Sequence, residues 1–219
     1  IVPENGTISI NIPLDSGRRS ACSTRTTHPT FIKRIQEALK LVGINNTFNN
    51  PYRLKSKADM MKDCDNDVNK SVILRQLYSK SCSCAKRGHN SHWDKPGDVI
   101  RNRKITHCGM CLPCLYRRVS LDIIGLDSAE YVGTDVMHGT KYNLNIHNQK
   151  RNHDFNALLY FIKNRMDANI IRRELFMNGI RSKQELDDYV SLALHSYQQV
   201  KDWIARKGTP EIKGKAGIV

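Results

Sequence analysis

The run His107-Cys108-Gly109-Met110-Cys111-Leu112-Pro113-Cys114 constrains this chain more than any other feature, because it sets three thiols at C-x2-C-x2-C spacing. A fourth thiol is available upstream, in Ser81-Cys82-Ser83-Cys84. A CxxC turn places two sulfurs on one side of an ion at about 2.3 Å each, and zinc takes four such ligands in a tetrahedron. The fold must therefore bring the upstream cysteines back to the array. The residues alone leave the fourth ligand open between Cys82 and Cys84.

Other readings of the cysteines are weaker. Seven thiols in 219 residues are too few for a disulfide scaffold and odd in number, and no apolar secretory stretch precedes them. A thioredoxin-like pair needs one CxxC near a βαβ pattern, whereas two CxxC steps here share Cys111. An iron–sulfur cluster would suit the same thiols; structural zinc is the reading adopted. Four thiolates leave no open coordination position, so the metal is expected to hold structure rather than catalyse. His89, His92 and His107 are then solvated loop histidines. Cys22 and Cys64 have no thiol partner nearby in sequence and read as buried free cysteines.

The charge narrows the partners. Lys and Arg number 35 against 21 Asp and Glu, a net +14 that favours phosphate-bearing ligands. No run approaches the 18 or so apolar residues of a membrane span, so a soluble, cytoplasmic protein is expected, with no membrane partner. The sequence opens at Ile1-Val2-Pro3, and the expectation is a piece of a longer protein.

Along the chain, Thr7 to Ile12 alternates polar and apolar residues between Gly6 and Pro13 and predicts a half-buried strand. Ser16 to Thr27 is polar, basic and rich in hydroxyls, a candidate binding loop. Thr27 as cap, Pro29 in the first turn and Gly43 as stop predict a helix between them. Ser56 caps a short helix from Lys57 to Cys64 that carries Met60 and Met61 inward. A third helix, built on Val68, Val72, Leu74 and Leu77, leads to Cys82. Another runs from Leu115 to Gly125 and exposes Arg117 and Arg118. The last third predicts helices over Asp154–Met166, Asn169–Met177 and Lys183–Lys207, then a frayed basic tail from Gly208.

No phosphate-loop or dinucleotide fingerprint occurs, and no His-Asp-Ser order stands out. A family resemblance carries further. Ser81-Cys82, followed by Cys108-Gly-Met-Cys111-Leu-Pro-Cys114-Leu-Tyr-Arg117-Arg118, resembles the zinc motif that ends the QueC family of 7-cyano-7-deazaguanine synthases, which are PP-loop ATP pyrophosphatases. That likeness favours Cys82 as the fourth ligand, giving Cys82, Cys108, Cys111 and Cys114. The spacer 83–107 is longer than the family's. Pro3-Glu-Asn-Gly-Thr-Ile-Ser-Ile-Asn-Ile-Pro-Leu14, Ser23-Thr-Arg-Thr-Thr-His-Pro29 and Asn50-Pro-Tyr-Arg-Leu-Lys-Ser-Lys57 resemble the QueC-like component of the Qat anti-phage defence systems.

The resemblance implies an α/β fold: the C-terminal part of a Rossmann-like, adenine-nucleotide-hydrolase (PP-loop) domain over 1–126, mostly helical and closed by zinc, with Thr7–Ile12 as a late strand. Residues 127–219 would be a helical extension. It implies an enzyme that uses ATP with Mg2+ to adenylate the carboxylate of a 7-deazaguanine-type substrate and passes the acyl group to ammonia or another amine. The Ser-Gly-Gly-x-Asp-Ser loop that holds ATP is not in this sequence, so the chain alone is expected to be inactive and to need an N-terminal PP-loop portion. Arg25, Thr26, Thr27, His28 and Lys57 are the substrate-side candidates. A defence-system protein and a second copy of the chain are possible partners. The alternative is a zinc-stabilised, basic nucleic-acid-binding or protein-interaction module without catalysis.

Overall fold

The computed structural model describes residues 1–15, 26–85, 107–127 and 149–218. Every regular element among them is helical: α1 (Gly6–Ile10), α2 (Pro29–Leu41), α3 (Lys57–Asn66), α4 (Val68–Leu77), α5 (Leu112–Ile123), α6 (Gln149–Asn164), α7 (Ala168–Met177), α8 (Lys183–Lys207) and α9 (Pro210–Lys215). A 3-10 turn, Tyr78–Lys80, follows α4. The mostly helical character expected from the sequence is present. The sheet is not, among the described residues, and no helix there is long and apolar enough to cross a membrane.

The expected strand at Thr7–Ile12 is overturned by its own first residues. Asn5 Oδ1 accepts a hydrogen bond from Ile8 N at 3.0 Å and caps α1. Gly6 N donates to the Tyr52 and Lys55 carbonyls, and a Cβ at Gly6 would stand 2.0 Å from Arg53 O. The amides needed for a sheet ladder are thus spent on a helical turn and a loop. Thr7 Oγ1 meets Ser196 Oγ at 2.6 Å, which ties α1 to α8. Ile10, Ile12 and Leu14 are buried nonetheless.

Capping residues explain most other boundaries. Ser56 and Asp59 form a reciprocal capping box on α3, while Asp67, Asp167 and Ser182 cap α4, α7 and α8. At α2 the cap is His28 rather than Thr27: His28 Nδ1 accepts from Thr30 N at 3.2 Å. That helix has no buried residue, and Phe31 is 43% exposed on it.

The spine is α8, about 37 Å long at 1.5 Å per residue. It packs against α1, α5, α7 and α9 and buries Tyr189, Ala193, Tyr197, Val200, Trp203 and Ile204. The tail is not frayed, because Thr209 caps α9 and Ile212 and Ala216 are each 1% exposed. One buried cluster contains Ile10, Leu14, Cys111 and Leu115 together with Phe155, Leu158, Tyr197 and Trp203, so the core runs across the expected boundary at 126/127.

The prediction that α5 exposes its arginine pair is also wrong: Arg117 and Arg118 are 6% and 1% exposed. Arg118 Nε bonds Asp127 Oδ2 at 3.1 Å, and its guanidinium lies 5.5 Å from the Trp203 ring centroid. Arg165 is similarly paired with buried Glu174 at 2.7 Å. A buried charge left without such a partner costs several kcal/mol.

Candidate metal centre

The sulfurs of Cys84, Cys108, Cys111 and Cys114 all lie within 4.8 Å of one another. A tetrahedron with zinc–sulfur bonds of about 2.3 Å requires sulfurs about 3.8 Å apart, and Cys108 Sγ stands 3.9 Å from Cys114 Sγ. The quartet can therefore hold a metal such as zinc. The fourth member is Cys84, a correction to the expected Cys82. Cys82 is exposed and lines a neighbouring cavity, whereas Cys84 Sγ accepts from Cys108 N at 3.4 Å within the cluster.

Local sequence explains the turn. Gly109 takes φ 79°, a left-handed conformation that glycine adopts without strain, and this lets Met110 N and Cys111 N both donate to Cys108 Sγ, at 3.4 and 3.3 Å. Cys111 is the N-cap of α5 and Pro113 sits in its first turn, so the array feeds directly into a helix start. Asp154 Oδ2, from α6, accepts from Leu112 N at 3.0 Å and satisfies a free amide of that first turn. Backbone donors and a helix N-terminus favour thiolate over thiol, which is the form that binds a metal.

The protons on the cluster are shared unevenly. Hydrogen bonds from the Cys111 and Cys114 thiols hold Cys108 well below the ordinary thiol range. In turn Cys108 pushes Cys111 and Cys114 up. Cys84 is pushed up most by Cys108, but Cys111 and Cys114 together outweigh this and it stands at about 6. Loading a tetrathiolate site would release the remaining protons.

The histidines take other roles. His107 is buried rather than solvated, and its Nε2 accepts from Ser83 N at 3.2 Å, which fixes the approach of the Ser81–Cys84 segment to the array. His89, His92 and Cys22 lie outside the described residues. Cys64 is half-buried rather than buried.

Beside the centre, α3, α4 and α5 line an open cavity of about 540 Å³. Its apolar lining includes Met61, Ile73, Leu74, Leu77 and Leu121, and its polar lining includes Lys57, Ser81, Ser120 and Arg117. Arg117 Nη1 donates to Ser81 Oγ at 2.7 Å and Nη2 to the Tyr78 carbonyl, while its buried Nε meets no acceptor among the described residues. Burial pushes the Lys57 ammonium down from the usual lysine range and the neighbouring Arg117 charge adds to this; Glu4 and Cys114 act in the opposite sense.

The sequence-predicted substrate residues do not converge. Lys57 lines this cavity, but Thr26, Thr27 and His28 do not; Thr26 is exposed, Thr27 half-buried and His28 buried as the α2 cap. Arg25 lies outside the described residues. Arg117, one turn after Cys114 and expected to face solvent, is instead buried beside Lys57 in this cavity, and nothing in its local sequence signals that. Comparison with protein-family models, curated proteins and solved structures finds no match to this chain.

Proposed function

We propose that this chain is the zinc-bearing part of a QueC-like ATP-dependent enzyme, in which a closed tetrathiolate site on Cys84, Cys108, Cys111 and Cys114 anchors α5 and the cationic cavity beside it. The observation that carries the reading is the placement of Lys57 and Arg117, both within motifs that resemble the family, in one cavity next to the quartet. Zinc would supply folding energy and no open coordination position.

The chemistry follows from the resemblance. A carboxylate oxygen of a 7-deazaguanine-type substrate attacks the α-phosphorus of ATP, pyrophosphate leaves, and the nitrogen of ammonia or another amine then displaces AMP from the acyl carbon. The loop that holds ATP and Mg2+ belongs to a PP-loop portion that this chain would complement. Lys57 and Arg117 would contribute positive charge toward an anionic group. Defence against phage is the setting that the Qat-like motifs suggest, with a defence-system protein as the amine-bearing partner.

The test mixes the zinc-loaded chain with a polypeptide carrying the Ser-Gly-Gly-x-Asp-Ser loop and follows AMP release from ATP. AMP formation that needs both polypeptides and the carboxylate substrate is expected. No AMP from a folded, zinc-loaded mixture would overturn the reading.

A further inference from the structure

The two buried arginines of the described residues, Arg117 and Arg118, and the largely covered Arg165 are treated differently. Arg118 has Asp127 and Arg165 has Glu174, both at hydrogen-bond distance. Arg117 has only neutral acceptors, the Ser81 hydroxyl and the Tyr78 carbonyl, and a buried Nε that meets none. Lys57 stands close enough to feel its charge and makes no hydrogen bond or ion pair among the described residues. Two like charges brought together on a largely apolar surface raise each other's free energy unless an anion lies between them.

We propose that the cavity between α3, α4 and α5 binds a small amphipathic anion, a carboxylate or phosphate held by Lys57 and Arg117, with its apolar body against Met61, Ile73, Leu74 and Leu77. The volume of about 540 Å³ suits such a molecule, since small-ligand sites run from roughly 300 to 1,000 Å³ with mostly apolar walls and few polar anchors. Ser81 and Ser120 also line it, but their hydroxyls already donate to the Tyr78 and Tyr116 carbonyls, which leaves Lys57 and Arg117 as the anchors. Glu4 and a metal-loaded quartet carry negative charge nearby, but neither the Glu4 carboxylate nor a sulfur of the cluster bonds Arg117 or Lys57 directly among the described residues. The anion would be the missing direct partner. This inference does not need the ATP-dependent reading, because it concerns binding by this chain alone.

The experiment titrates the zinc-loaded full chain with naphthyl phosphate, naphthoate, neutral naphthol and inorganic phosphate, read by naphthyl fluorescence or by calorimetry. At least one aromatic anion should bind about ten-fold or more tighter than both naphthol and inorganic phosphate, and the tighter of the two anions identifies phosphate or carboxylate as the preferred group. Lys57→Met should weaken that anion about ten-fold and leave naphthol binding unchanged. Arg117→Gln should do the same if its zinc content and near-UV spectrum are preserved; if it does not fold, Lys57→Met decides alone. Naphthol binding as tightly as the anions, no binding of either aromatic anion, or indifference to Lys57→Met would overturn the proposal.

Discussion

Cys108 Sγ and Cys114 Sγ, six residues apart and 3.9 Å from each other, are held at the separation that two ligands of one tetrahedral zinc require. Both are buried, and Cys111 lies between them in the chain at the start of α5. Replacing Cys111 by Ser should therefore cost the metal and much of the fold together. Because 1 kcal/mol shifts the melting temperature of a chain this size by about 2–4 °C, a loss of several kcal/mol corresponds to about 10 °C or more. Differential scanning calorimetry with parallel metal analysis checks this, and a Cys111→Ser protein with full zinc content and unchanged melting would contradict it.

Gly6 is the contact through which α1 meets the loop before α3. A methyl group there would stand 2.0 Å from Arg53 O and 2.4 Å from Leu192 Cδ2. The first of these is backbone and cannot rotate away, so Gly6→Ala should destabilise by about 3 kcal/mol, at the upper end for overpacking. Urea denaturation measures it; a change below about 0.5 kcal/mol would show that the close approach is absent in solution.

Asp59 joins α3 to α8 through His195 at 2.9 Å and Gln199 at 2.8 Å, besides closing the capping box on Ser56. Partial burial pushes its carboxyl up, but the hydrogen bonds from His195, Ser56 and Gln199 outweigh this and hold it below the ordinary carboxylate range. A depressed folded-state pKa stabilises above the unfolded value of about 3.9, and that contribution is lost as pH falls through the folded value. Carboxyl-carbon NMR should show Asp59 titrating below that reference. Gln199→Ala should move its midpoint upward, and an unmoved midpoint would remove Gln199 from the account.

Ile212 tests the docking of the C-terminal turn. It is 1% exposed in the core cluster, although it lies in a segment whose composition suggests fraying. Truncating Ile212 to Ala should cost about 2–4 kcal/mol, measured by chemical denaturation, whereas a frayed tail would register almost nothing.

Side-chain caps mark four of the helices that could be read from sequence, although capped α1 and α9 were not legible and uncapped α5 was. Ser56, Asp67, Asp167 and Ser182 each satisfy amides of their own first turn, so local chemistry alone marks α3, α4, α7 and α8. Thr7–Ile12 misled because its alternation is real and still buries Ile10 and Ile12, while the choice of helix lies with Asn5 and with the distant carbonyls of Tyr52 and Lys55. Arg117 and Arg118 misled for a similar reason: their burial depends on Ser81, Tyr78, Asp127 and Trp203, none of them neighbours in the helix. The metal array was legible as three ligands. The fourth was not, because Cys82 and Cys84 differ by two residues, and the choice depends on how His107 and Cys108 bond the Ser83–Cys84 segment.

The quartet itself is tested most directly by zinc stoichiometry in two variants, Cys84→Ser and Cys82→Ser, purified under reducing conditions and measured by native mass spectrometry. Cys84→Ser should lose bound zinc, and Cys82→Ser should keep one ion per chain. Full zinc in Cys84→Ser together with loss in Cys82→Ser would contradict the centre described.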